Sequence, residues 1–151
     1  VPILKPTHAL IVTGSNFFLK EGKMKSTQRL LFTFVFLVAF DQIAKNIFSA
    51  SVCNKYLAWS IPVSGGLFYI AWIIIVSTLA YFFFKTKKQS QKIFLILIFA
   101  GASSNLVDRI RVGCVIDYID LKFWPVFNLA DVYITVGIIA LLIFQIRNPK
   151  H

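Results

Sequence analysis

Four long apolar runs constrain this chain more than any other feature. They cover about Leu30–Phe48, Gly65–Phe84, Ile93–Leu106 and Phe127–Ile146. At about 1.5 Å per residue, the second and fourth reach roughly 30 Å, the thickness of a bilayer's hydrocarbon core. The third is short unless it continues through Asn105, Asp108 and Arg109 to the interface. A hydrophobic content of 58% and a mean hydropathy of +0.75 are too high for a water-soluble domain of 151 residues. The expected fold class is an all-α membrane protein: four transmembrane helices joined by short extracytoplasmic segments of β-like or interfacial character. Residues 24–151 form one domain on this reading. Residues 1–23 contain no spanning run and are expected to be a poorly ordered extension, with Met24 a candidate start.

The net charge is +10, but the basic residues lie between the apolar runs rather than on one polar surface. That distribution argues against nucleic acid and for topology signals and contacts with anionic lipid. Lys25, Arg29, Lys85, Lys87, Lys88, Lys92, Arg147 and Lys150 fall on one side of the four-helix arrangement, and Lys55, Arg109, Arg111 and Lys122 on the other. The positive-inside rule therefore predicts cytoplasmic termini, with Ser49–Ser64 and Ile110–Val126 outside. These two segments carry β-branched and aromatic residues with Pro62 and Pro125, which suits short strands or interfacial hairpins. SASVC (Ser49–Cys53) loosely resembles a lipoprotein cleavage box. Val52 is not a small residue, however, and Asp41 and Lys45 interrupt the apolar core a signal peptide needs, so the first helix is read as retained.

Cys53 and Cys114 have no CxxC spacing and the two histidines lie near the chain ends, so no metal site is expected. Both cysteines fall in the outer segments, where a disulfide is open to them. Two small buried or interfacial thiols are the favoured reading.

Carboxylate chemistry has few residues to draw on: Glu21, Asp41, Asp108, Asp117, Asp120 and Asp131 are the only acids. Aspartates within or beside a membrane are costly and usually have a partner or a task. Asp41 and Lys45, four apart on one helix, suit an ion pair that acts as a structural strut. Asp108 and Arg109, with Asn105 one turn earlier, mark where the third helix leaves the membrane, again with structural roles favoured. Gly101, Ala102, Ser103 and Ser104 would let that helix pack closely against a neighbour. Asp131, just after Asn128, sits near the positive end of the fourth helix dipole. Asp117 lies in VIDYI, an apolar context that should raise its pKa. Two carboxylates in different environments can divide acid and base work. Spacing alone leaves Asp120 open as a substitute for Asp117, and solvated loop carboxylates open as an alternative for both.

FDQIAK (Phe40–Lys45), CNKYLAWS (Cys53–Ser60), GASSNLVDR (Gly101–Arg109), VIDYI (Val115–Ile119) and FNLAD (Phe127–Asp131) occur in that order. Together they resemble the ordered motifs of bacterial lipoprotein signal peptidase, or signal peptidase II, over nearly everything from Met24 onward. The resemblance implies an aspartic endopeptidase of the bacterial cytoplasmic (inner) membrane, with its site at the outer face. It would cut the signal peptide from a prolipoprotein just before a diacylglyceryl-modified cysteine, as a monomer among membrane lipids and without a cofactor. Its catalytic aspartates map to Asp117 and Asp131; which is acid and which is base stays open, with the helix N-terminus leaning towards Asp131 as the base. Asn54, Asn105, Arg109 and Asn128 map to positions that line the site, and Asp41 and Lys45 to a supporting motif. Asp120 lies outside the matched positions. The chain departs from the family pattern at Tyr56, where glycine is usual, and at Ser103 and Ser104, where Ala or Leu and Gly are commoner. Thirteen residues separate Asp117 from Asp131, a short link.

Two rival readings come from other classes. One is a Ser/Lys signal peptidase built on Ser60 with Lys55 or Lys45. The other is a small transporter or channel subunit whose aspartates relay ions, although four helices without an internal repeat suit it poorly.

Overall fold

The structure is a computed structural model that describes residues 26–48, 51–55 and 65–149. The expectation for residues 1–23 and the departures and rival site at Tyr56 and Ser60 lie outside the described residues. Among the described residues, four helices are long and apolar enough to cross a membrane: α1 (Ser26–Ile47), α2 (Gly65–Lys85), α3 (Gln89–Val112) and α4 (Leu129–Arg147). Two three-residue strands complete the order, β1 (Val52–Asn54) after α1 and β2 (Val115–Asp117) after α3. The third helix does continue through Asn105, Asp108 and Arg109. It stops where Gly113 adopts φ 78°, a left-handed conformation that glycine enters without a Cβ penalty, and the Gly113 N–H donates to the Arg109 carbonyl at 3.1 Å.

Burial runs opposite to that of a water-soluble protein. Phe32, Phe36, Ile43, Ile74, Leu142 and many other large apolar side chains are exposed, whereas the largest fully buried side chains are Asn128, Asp41, Asp108 and Ser104. Lipid solvates the apolar faces, so association relies on close packing and interhelical hydrogen bonds. Both operate here. A Cβ on Gly101 would collide with the Ala130 carbonyl oxygen, and one on Gly137 would lie 2.6 Å from Ile98 Cγ1. Glycine therefore sets the α3–α4 approach from both sides. α1 lies parallel to α3 in a fixed register: Ser26 Oγ donates to Gln89 Oε1 at 2.8 Å at one end, and Ser104 Oγ donates to Asp41 Oδ2 at 2.6 Å towards the other. α2 is the loosest member, fixed by Trp72 Nε1 donating to the Ala102 carbonyl at 3.3 Å and by Phe83 against Phe99.

The start of α1, the α2–α3 connection and the end of α4 share one end of the bundle, where Lys88 lies over the Phe144 ring. The strands occupy the opposite end. They pair antiparallel with Val52 opposite Asp117, Cys53 opposite Ile116 and Asn54 opposite Val115. Tyr118 and Ile119 N–H groups donate to the Phe127 carbonyl, closing the segment that leads into α4. Cys53 and Cys114 are joined by a disulfide, which corrects the expectation of two separate thiols. Sequence distance hid this pairing, because 61 residues separate cysteines that the hairpin brings to a Cα–Cα distance of 5.5 Å.

Candidate active site

Five elements converge at the strand end: α1 contributes Asp41, Gln42 and Lys45, β1 Asn54, α3 Ser104, Asn105, Asp108 and Arg109, β2 Asp117, and α4 Asn128 and Asp131. Local geometry fixes the last pair. Asn128 is the N-cap of α4, with extended backbone at φ −132° and ψ 175°. Its Oδ1 accepts from the Asp131 N–H at 2.9 Å, and its own N–H donates to Asp131 Oδ2 at 3.2 Å. This reciprocal capping box satisfies donors that a helix start leaves open. It also points the Asp131 carboxylate back across the helix N-terminus.

The Asn128 amide then reaches the second aspartate. Its Nδ2 donates to Asp117 Oδ1 at 2.7 Å, with the Ile116 carbonyl and Asn105 Oδ1 also in range. Asn54 Nδ2 donates to Asp117 Oδ2 at 3.0 Å, and Asn105 Nδ2 donates to Asp131 Oδ1 at 2.9 Å. Both carboxylates therefore share one asparagine, and each also receives a hydrogen bond from another. Burial pushes the Asp117 carboxyl up to about 6, with the Asp131 charge adding to the rise and the Asn54 and Asn128 amides opposing it. Arg109 lies over the Phe68 ring, 4.3 Å from its centroid, and its charge acts on Asp131, Asp117 and Asp108.

A second cluster lies behind the first. Lys45 Nζ contacts Asp41 Oδ2 and Asp108 Oδ2, each at 2.7 Å, and donates to Asn105 Oδ1 at 3.0 Å. These three partners match the three donors of an ammonium group. Asp41 also accepts from Ser104 Oγ and, at 3.1 Å, from the Ala130 N–H in the first turn of α4. Asp108 accepts from Gln42 Nε2 at 2.8 Å and from the Ile116 N–H at 3.2 Å. Lys45 and Asn128 both donate to Asn105 Oδ1, which leaves the Asn105 NH₂ facing Asp131. The supporting cluster thus sets the orientation of an amide in the aspartate pair.

All eight residues singled out by the motifs meet at this end of the bundle. Asp120 does not join them. It is exposed and pairs with Lys122 at 2.6 Å, and the Lys122 hydrogen bonds hold its carboxyl below the usual carboxylate range. Gln42 and Ser104 are members that sequence reasoning missed. Gln42 lies inside FDQIAK, and Ser104 reads from sequence as a small packing residue, yet its hydroxyl binds Asp41. Among the described residues, no group of three or more His, Cys, Asp or Glu side chains is arranged to hold a metal ion.

Residues 32–147 match the family model described as Signal peptidase (SPase) II. A lipoprotein signal peptidase from Anaplasma phagocytophilum (strain HZ) is 35% identical over 140 residues, covering 76% of this chain and 90% of that protein. One from Staphylococcus aureus is 34% identical over 143 residues, covering 78% and 87%. A solved bacterial membrane enzyme superposes with a TM-score of 0.71 at 32% identity, covering 82% of this chain and 92% of the other. The family match takes in parts of all four helices and both strands, and so every residue of the aspartate pair and its support: the chain belongs to the signal peptidase II family of membrane peptidases.

Proposed function

We propose that this protein is an aspartic endopeptidase that removes signal peptides from diacylglyceryl-modified prolipoproteins, cleaving before the lipidated cysteine. The observation that carries the reading is the Asn128 bridge, which holds Asp117 and Asp131 together with unequal surroundings. Asp131, at the positive end of the α4 dipole, is the ionised member and takes a proton from the attacking water. Asp117, raised by burial, holds the shared proton, polarises the scissile carbonyl and then protonates the departing amine. Two neighbouring carboxylates do not both ionise cheaply, so the pair keeps this proton without help from a metal. Asn54, Asn105, Arg109 and Asn128 orient the pair and the substrate, while Asp41 and Lys45 hold the scaffold. Names of relatives support the substrate class, and nothing favours the ion-relay alternative.

An outward-facing site fits three features. Lys and Arg are denser at the other end of the bundle. A disulfide persists in oxidising compartments. Phe123 and Trp124 are exposed beside the site, as befits side chains at headgroup depth. The substrate's acyl chains stay in lipid, so it enters laterally between helices. In intact cells an impermeant thiol reagent should label Lys122→Cys and spare Asn148→Cys; the reverse pattern would invert the topology and end this reading.

Purified protein in lipid vesicles tests the function directly. It should release the signal peptide from a diacylglyceryl-modified precursor and leave the same precursor intact when its cysteine is unmodified. Equal cleavage of both, or of neither by folded protein, would overturn the assignment.

A further inference from the structure

The hairpin that carries Asn54 and Asp117 has only three residues in each strand. An isolated two-stranded ladder is marginal, and a one-residue slip moves every side chain to the opposite face. Position matters here because strand alternation places Asn54 on the face opposite Cys53. Asn54 pairs with Val115, so Asp117 is its diagonal neighbour on the same face, and this register is what lets Asn54 Nδ2 reach Asp117 Oδ2 at 3.0 Å. The Cys53–Cys114 bond is formed by the residues immediately before Asn54 and Val115, the partners at that end of the ladder. β2 is already tied to α3, since the Ile116 N–H donates to Asp108. The disulfide joins β1 to that fixed strand beside the pair that carries Asn54.

We infer that the Cys53–Cys114 disulfide is a positioning element of the active site, which locks the β1–β2 register so that Asn54 stays hydrogen-bonded to Asp117. The inference rests on the proposed role of Asp117 and goes beyond it by making that role depend on the redox state of the cysteines. A dithiol supplies two electrons and two protons and becomes a disulfide itself, while the protein bond opens to two thiols. Asn54 is then free to leave Asp117. Because the Asn54 amide favours the ionised carboxylate, its departure lets Asp117 keep its proton to higher pH.

The test compares pH profiles of kcat/KM on a lipidated precursor for oxidised wild type, Cys53→Ala/Cys114→Ala, Asn54→Ala and the triple variant. The cysteine variant should shift the alkaline limb upward by about half a unit or more. Asn54→Ala should do the same, and the triple variant should add nothing further, as expected when two changes act through one contact. Lower thermal stability with an unmoved pH profile would mean that the disulfide only braces the fold, and would overturn the inference. Additive shifts would overturn it as well. Should the cysteine variant fail to fold, wild type already in vesicles is reduced with a dithiol, with opening confirmed by alkylation of both thiols. The limb should move and return on reoxidation, and a limb that stays put refutes the inference. Wild type that does not cleave, or Asp117→Asn that does, removes the catalytic reading and this inference together.

Discussion

Two pairs of aspartates lie at the same end of the bundle and are treated in opposite ways. Asp41 and Asp108 close on one buried ammonium, Lys45, and are further saturated by Ser104, Gln42 and backbone N–H groups. Asp117 and Asp131 receive their hydrogen bonds from asparagine side chains and the Asn128 backbone. An ammonium fixes a carboxylate in its charged form, whereas neutral amides leave two adjacent carboxylates competing over a proton. The same residue type is thus held as a strut in one place and, in the neighbouring cluster, as the pair proposed to do acid–base work. Asn105 joins them, accepting from Lys45 and donating to Asp131.

The sharpest way to break this contrast is to neutralise the amide-held pair. Asp117→Asn and Asp131→Asn should each lower cleavage by about 10³-fold or more while the protein still inserts and folds. Asp120→Asn should retain substantial activity, because that carboxylate is exposed and paired with Lys122. Full activity in either of the first two variants would dissolve the distinction.

Removing the cation from the other cluster should damage the fold instead. Lys45→Met leaves two buried carboxylates without their counter-ion, and breaking one partner of a buried pair costs about 3–5 kcal/mol. Thermal unfolding in micelles should show a loss of stability much larger than in Asp117→Asn. Equal losses would mean that the two pairs are not different in kind.

Acidity sharpens the comparison further. The Asp117 carboxyl is raised from 3.8 to about 6 in the folded protein, so the native state binds this proton more tightly than the unfolded chain. Its contribution to stability is full below about pH 4 and is lost as pH rises through about 6. Wild type should lose apparent Tm across that window, and Asp117→Asn should show a flatter dependence. If Asp117 is the protonated member, kcat/KM should also fall on the alkaline side as its proton is lost. The smallest expected effect is that of chelation: activity after exhaustive treatment with a metal chelator should equal the untreated value, and a loss restored by zinc would replace the carboxylate mechanism.

Much of this was legible in the chain because it is encoded locally. The four apolar runs predict the four helices, with ends displaced by only a few residues, and acid-to-lysine spacing of four predicts the Asp41–Lys45 pair. Ordered motifs contain the candidate dyad and its support, although within them Gln42 and Ser104 carry no signal of their own. The cysteines read wrongly because neither has a neighbour in sequence that signals a partner. Ser104 read as small and inert because nothing in GASSN says that α1 places a carboxylate against its hydroxyl.

The sequence by itself determined a four-helix membrane protein, since hydrophobic length and charge between runs act segment by segment. It also placed Asp131 behind a capping asparagine, a contact spanning three residues. The parallel register of α1 against α3, the glycine-set approach of α3 to α4 and the pairing of β1 with β2 were decided only in three dimensions. Those arrangements put Lys45 between Asp41 and Asp108, Asn128 between Asp117 and Asp131, and Cys53 against Cys114. Each joins residues from different segments, and such contacts depend on how whole faces pack rather than on the spacing of residues along the chain.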